Sequence, residues 1–489
     1  MKRMALLFLV CAAVAACSKT EETSIIQITA TAEPATLTRT QIIPGDPGQM
    51  QVIWSAGDQI AIYVNPDNIP FTLVSGASTP TATFSGEHPV GSACNEGGWA
   101  ALYPYQTGAH AKIAMDINGK DTYGCELNAY QRATDNSFDR NSFLMLAHSA
   151  TLGDFAFKPL VALLKVTPQF NCKQIILTAR QQDPSYARIA GTAGFRWNAG
   201  DPVLETGPTY NYGFNSSSIV LSGTITVGND YYICVLPMTI PDGFDLGFLA
   251  EDGTLYVRGF SSSFTPERGK IYDMGSFSTA DTPWTQVKAA PNANGHPYVD
   301  LGLVIDGQKV YFADRNVGAD AVDATGDYYY WGSTKPYPST NYYDPYRTQV
   351  DIGGNTSYDA AAKGWGGDWR MPAQNHLSFL GYETPCVGLI TATWDTSHAI
   401  AGYAVTSSVP GYEGVSFFLP AAGQHYNGNP TGVGEQGNYW YSDYYYSSMY
   451  GTRTYKFNYL HLTSSEKNHA YYGQSSYNHY FTIRPVMVQ

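Results

Sequence analysis

Charge is the first thing this chain lacks. Asp, Glu, Lys and Arg make up only 14% of its 489 residues, and the balance is acidic, with a net charge of −13. No basic cluster occurs, which excludes the electrostatic footprint of a nucleic-acid binder. Long apolar runs are missing as well: beyond residue 14 none approaches the roughly 20 residues of a membrane-spanning helix. Seven cysteines are scattered without a CxxC or Cys/His spacing, so no zinc site is expected. No HExxH, nucleophile elbow or prominent carboxylate pair is found. We therefore expect no enzyme, no cofactor and no metal site. Aromatic residues, in contrast, reach 14%, with 48 glycines and 28 prolines. That is the composition of an all-β, turn-rich exported protein, and the length points to about three domains.

The first residues explain the export. Met1-Lys2-Arg3 is followed by an apolar run from Met4 to Val14 and then by Ala15-Ala16-Cys17. A basic start, a short apolar core and small residues make a secretory signal. A cysteine directly after the small residues makes it a lipoprotein signal, with 1–16 removed and Cys17 lipidated. An ordinary signal with an incidental cysteine is the alternative. Only the lipid would then hold the chain at a membrane. Cys94, Cys125, Cys172, Cys234 and Cys386 remain beyond the signal and Cys17. A Cys94–Cys125 disulfide is the first pairing to expect, and buried free thiols are the alternative.

Residues 17–39 read as a tether. Strand-period alternation starts at Ile25 and continues through Val52, Trp54, Ile60, Ile62 and Val64, with Gly57-Asp58 as a turn. Further short strands are expected at Phe71–Val74, Thr81–Phe84 and Trp99–Tyr103. A second block, 157–278, holds Val161–Val166, Gln174–Ala179, Ser218–Leu221 and Tyr231–Leu236 at β-sandwich spacing. Residues 279–296 are rich in Pro, Ala and Asn and read as a linker. Beyond it the composition changes: 26 of the 38 tyrosines lie after residue 296. This third block, 297–489, reads as loop-rich, with a helix expected only over Ala373–Gly381.

Short strings in the first two blocks, 40–156 and 157–278, carry a resemblance. They are Thr38-Arg39-Thr40, Val52-Ile-Trp54, Gly57-Asp-Gln-Ile60, Ala101-Leu-Tyr-Pro-Tyr105, Ser137-Phe138, Phe143-Leu-Met145 and Ile189-Ala-Gly191. In that order, behind a lipoprotein signal, they resemble the fimbrillin superfamily of Bacteroidota, the subunits of lipoprotein-derived pili. The resemblance implies two transthyretin-like β-sandwich domains. It also implies proteolysis after Arg39, a new start at Thr40, and assembly by strand exchange with other fimbrillin subunits. The surface of the outer membrane is then the expected location before processing, and a fimbrium after it. An ordinary surface arginine is the competing reading of Arg39.

The third block resembles the C-type-lectin-like domains of Bacteroidota surface proteins, a paralogous set first noted in Fibrobacter. The strings are Tyr298-Val-Asp-Leu-Gly-Leu303, Asn316-Val-Gly-Ala319, Gly326-Asp-Tyr-Tyr-Tyr-Trp-Gly332, Gly367-Asp-Trp-Arg-Met-Pro372, Phe418-Leu-Pro-Ala-Ala-Gly423, Tyr439-Trp-Tyr-Ser442 and Ile483-Arg-Pro-Val486. The whole chain is thus expected to be mainly β, with a loop-rich α+β C-terminal domain. The same fold serves formylglycine-generating enzymes, which need reactive cysteines, and Cys386 stands alone here. The Glu-Pro-Asn and Trp-Asn-Asp signatures of calcium-dependent lectins are missing, with Asn429-Pro430 and Tyr441-Ser-Asp443 as poor substitutes.

Tyrosine pairs a flat apolar face with a hydroxyl, which favours recognition surfaces. The runs Tyr328, Tyr329, Tyr330 and Tyr444, Tyr445, Tyr446 cannot all point inward if they lie on strands. They are the candidate ligand-binding residues, against a reading as core. Trp331, Trp369 and Trp440 are expected in the core. The function that fits is a pilus tip or accessory subunit binding a host or bacterial glycan or protein. The alternative is a monomeric surface lipoprotein that binds glycans outside any pilus.

Overall fold

The computed structural model describes residues 23–33, 35–38, 49–50, 52–64, 67–89, 98–109, 122–180, 189–205, 215–338, 351–380, 388–426, 429–449, 452–473 and 479–489. The described residues are mainly β, with 52% strand and 3% helix. Cys17, Arg39, Thr40, Cys94 and Cys386 lie outside the described residues.

Residues 17–39, expected as a tether and possible cleaved leader with strand alternation from Ile25, supply two strands, β1 (Thr23–Ala32) and β2 (Ala35–Thr38). β1 alternates as a half-buried strand should: Ile28, Ala30 and Ala32 are buried, while Ile25 is 77% exposed. It runs antiparallel to Thr81–Pro89 over nine residue pairs, from Thr23↔Pro89 to Thr31↔Thr81. On its other edge it runs parallel to Asp154–Pro159, from Thr29↔Asp154 to Ala32↔Phe157. These two pairings close a barrel that continues through Met145–Ser149, Trp99–Tyr103, Gln59–Val64 and Asp67–Ser75. The first unit is thus a closed barrel where a two-sheet sandwich was expected, because β1 bonds on both edges. Trp54 fills its centre, edge-on to Phe84 and Tyr103 at 5.1 Å and to Phe157 at 5.5 Å. Its indole N–H donates to the Pro80 carbonyl at 3.0 Å.

β2 leaves the barrel and enters the second unit, where it lies parallel to Lys270–Phe277 and antiparallel to Gln49–Met50. That sheet runs Ser137–Phe138, Tyr231–Val235, Ala162–Pro168, Lys270–Phe277, β2, Gln49–Met50. The opposing sheet runs Gln286–Lys288, Leu255–Phe260, Phe244–Ala250, Cys172–Ala179, Ser218–Ile225, Tyr130–Arg132. Phe248 and Phe277, one from each sheet, meet at 4.7 Å. Strands on both sides of the expected boundary at 156 therefore share these sheets. The expected linker also differs: Gln286–Lys288 is an edge strand on Leu255–Phe260. Trp284 beside it packs on Phe170, Phe248 and Tyr256. Pro and Ala composition marks the segment as irregular, but an aromatic anchor and three ladder residues suffice to order it.

Cys125 is a buried free thiol, as are Cys172 and Cys234, so the Cys94–Cys125 disulfide is not formed. Burial pushes Cys172 up to about 12 and raises Cys125 and Cys234 further, which keeps these thiols protonated and inert.

The third unit combines short sheets with little helix. Ala373–Gly381, expected as a helix, holds a 3-10 segment, Gln374–Leu380. The α-helix lies earlier, at Ala360–Trp365, capped by Asp359 and stopped at Gly366 with φ 66°. Asp359 is buried, and its carboxylate accepts from the backbone N–H groups of Ala361 (2.8 Å), Ala362 (3.1 Å), Gly354 (2.7 Å) and Met371 (2.8 Å). One side chain thereby ties the helix to two loops. Val486–Val488 closes the unit against Gln308–Ala313. Trp331, Trp369 and Trp440 are buried, as expected.

This unit is docked, not tethered. Tyr130 of the middle sandwich donates its hydroxyl to the Val304 carbonyl and accepts from the Val304 N–H, both at 2.9 Å. Gln174 donates to the Gly302 carbonyl at 2.8 Å. Lys309 is fully buried at this junction. Its ammonium is 2.6 Å from Asp300 and 3.1 Å from Gln174 Oε1, with the Tyr412 ring 4.7 Å away. Burial pushes the Lys309 pKa below the ordinary lysine value, with Asp300 opposing the shift.

Two variants test these contacts. Asp359→Ala leaves four N–H groups without their acceptor and is expected to cost about 3 kcal/mol of stability in denaturant unfolding. A loss under about 1 kcal/mol would mean the carboxylate does not organise the helix. Tyr130→Phe removes the hydroxyl that serves both the N–H and the carbonyl of buried Val304. It is expected to cost about 2 kcal/mol and to speed proteolytic release of the third unit; an unchanged release rate would mean the junction is held elsewhere.

Candidate functional site

Two regions carry the candidate chemistry: the pairing of the leader strands and an aromatic cluster on the third unit. β1 and β2 precede Arg39 in the chain, so cutting there would detach both. Their partners are continuous ladders. Removing β1 would strip Thr81–Pro89 and Asp154–Pro159 of one bonded edge each, and removing β2 would expose Lys270–Phe277. Backbone N–H and C=O groups freed in this way require a new partner strand or water. Beside the ladders, Ala32 N–H donates to the Pro80 carbonyl at 3.0 Å, Glu33 N–H donates to the Phe157 carbonyl at 2.9 Å, and the Glu33 carboxylate faces Arg268 at 3.7 Å.

The tyrosine runs separate into core and surface in a way strand alternation did not predict. Tyr329 and Tyr330 are buried, at 4% and 8% exposure, and are not available as a binding surface. The reason is that Tyr328–Tyr330 is irregular chain, not strand, so its side chains do not alternate. Tyr329 bridges Phe481 on one side and Pro336 on the other. Tyr328 is half-buried, and its hydroxyl donates to the Ala422 carbonyl at 2.5 Å. Tyr444 is half-buried and lies edge-on to Trp331 at 5.9 Å. Tyr445 and Tyr446 sit on the strand Gln436–Met449 opposite Lys456 and Tyr455; their side chains lie outside the described residues.

The exposed aromatic cluster instead centres on residues that tyrosine runs did not single out. Tyr337 stacks on His425 at 4.1 Å and 27°, and meets the edge of Tyr480 at 5.1 Å. Tyr328 meets His425 edge-on at 5.1 Å. All four rings are half-exposed. His425 and Tyr480 are register partners on neighbouring strands, whereas Tyr337 is brought in by a backbone bond from its N–H to the Tyr328 carbonyl at 2.8 Å. A signal for Tyr337 existed, since it lies between Pro336 and Pro338 in a rigid loop, but its partners are about 90 and 140 residues away along the chain.

The stand-ins for a calcium signature have other roles. Asp443 accepts from the Gln374 N–H at 2.7 Å and from Asn458 at 2.9 Å, so its carboxylate organises the 3-10 segment. Asn429 and Pro430 are exposed on a short edge strand.

No family model matches the chain, and no curated protein matches it either. Several solved structures similar to it come from Bacteroidota. A candidate cell adhesion protein from Bacteroides ovatus has 14% identity and a TM-score of 0.30, covering 55% of this chain and 98% of its own. One from Bacteroides uniformis has 18% identity and a TM-score of 0.28, covering 52% and 97%. A fimbrial assembly protein from Parabacteroides distasonis has 9% identity and a TM-score of 0.22, covering 55% and 100%.

Proposed function

We propose that this chain is a non-enzymatic adhesin that joins a pilus at its end, receiving a strand from another subunit and presenting its third unit to a glycan or protein ligand. The supporting observation is the asymmetry of its strands. The leader strand β1 is bonded on both edges, in register over nine pairs on one of them, and lies directly upstream of Arg39. A protease that cuts after Arg39 leaves a slot of matching length in the barrel, which an extended strand fills by main-chain hydrogen bonds. Val486–Val488, in contrast, is already engaged within the chain. It pairs with Gln308–Ala313, and the Gln489 side chain donates to the carbonyls of Gly253 and Ala289 at 2.9 Å. A strand held in this way is not free to be donated. A chain that accepts a strand while this strand stays paired suits a terminal position.

The rigid junction supports an adhesive role. Force on a bound ligand passes from the third unit to the sandwich through Tyr130, Gln174 and Lys309 instead of through a slack linker. In this reading Cys17 carries the lipid that holds the chain at the outer membrane until processing.

The test is the N-terminus of the protein recovered from its native cells, read by mass spectrometry. A start at Thr40 without lipid, lost in an Arg39→Ala variant that keeps its leader and stays unassembled, is the expected result. A lipidated start at Cys17 in all of the recovered protein would replace the tip subunit with an anchored surface lipoprotein.

A further inference from the structure

We propose that Tyr337 and Tyr480, backed by Tyr328 and His425, form a stacking platform for a neutral saccharide; this rests on the adhesin reading above and gives it a ligand class and a place. The first support is geometric. Four aromatic rings from three separate segments converge, each half-exposed, with Tyr337 sandwiched between His425 and the edge of Tyr480. Among the described residues of the third unit, the core rings pack differently, with Trp331 buried on Phe457 at 4.4 Å and Trp440 on Phe481 at 4.2 Å.

The second support is pre-organisation. The loop carrying Tyr337 is folded back by its own bonds: Lys335 N–H donates to Ser333 Oγ at 3.2 Å, Ser333 Oγ donates to the Lys335 carbonyl at 2.9 Å, and Tyr337 N–H reaches Tyr328. Pro336 fixes its own φ. Little ordering entropy then remains to oppose binding.

The third is chemical complementarity. A pyranose offers a face of C–H groups rimmed by hydroxyls, and tyrosine offers a flat apolar ring with a hydroxyl at its tip. Burial lowers the pKa of His425 and raises those of Tyr328 and Tyr480, which favours the uncharged form of these three rings. The shielded Nδ1 of His425 has no hydrogen-bond partner among the described residues, so ring stacking against Tyr337 is what holds the imidazole in place.

The experiment uses the full chain on an array of mannose-, galactose-, N-acetylglucosamine- and sialic-acid-terminated oligosaccharides, with deglycosylated mucin polypeptide on the same slide. Tyr337→Ala and Tyr480→Ala are compared with Tyr337→Phe, and thermal unfolding checks that each variant is folded. The expected result is binding to a neutral oligosaccharide, weakened about tenfold or more by either alanine and kept within about threefold by phenylalanine. Neutral-sugar binding unchanged in both alanine variants would overturn the platform while leaving the adhesin reading intact. Binding to sialylated sugars alone, or to polypeptide alone, would overturn the ligand class. No binding to any spot would overturn the platform, while the start at Thr40 would still decide pilus assembly by itself.

Discussion

Everything in the first half of this protein depends on one strand being bonded along both edges. β1 joins Thr81–Pro89 to Asp154–Pro159, and without it the barrel is an open sheet with two exposed ladders. The short segment after β1 then crosses into the sandwich and lays β2 beside Lys270–Phe277. β1 and β2 thereby join the ladders of the barrel to those of the sandwich. A strand that is central to closure and also lies ahead of a candidate cleavage point is in a position to act as a placeholder. Main-chain bonds are nearly independent of sequence, so a different strand can take its place with little penalty in the ladder itself.

The second constraint is the junction between the sandwich and the third unit. It is polar in kind but buried in place: a tyrosine hydroxyl serving both the N–H and the carbonyl of Val304, a glutamine amide, and a lysine paired with Asp300 under Tyr412. Groups of this type are expensive to leave unpaired. They set the orientation of the third unit more sharply than an apolar contact of equal area would. A surface on that unit then has a defined direction relative to the slot of the barrel. That coupling is what a terminal adhesive subunit needs.

The aromatic residues show how far sequence pattern reaches. Alternation located β1, which does lie on a pleated strand with one face inward, and the strand at Gln59–Val64, although that strand is buried on both faces. Tyr328–Tyr330 broke the same rule, since the run is irregular and its bridges to Phe481 and Pro336 bury two rings in succession. The linker expectation failed for a related reason. Composition marked 279–296 as irregular, yet Trp284 finds a pocket of Phe170, Phe248 and Tyr256, and the backbone follows it onto a sheet edge.

The sequence alone determined the mainly β class, the change of character after residue 296 and the tryptophans of the core. Those follow from composition and from side-chain period, which are local properties. Closure of the barrel, the role of 23–38 as strands of two different units, the free state of Cys125 and the docking of the third unit were decided only by the tertiary structure. So was the gathering of Tyr328, Tyr337, His425 and Tyr480 into one exposed cluster. Each depends on contacts between residues far apart in the chain, and hydrogen-bond edges and ring stacks carry no local signal of which distant partner will meet them.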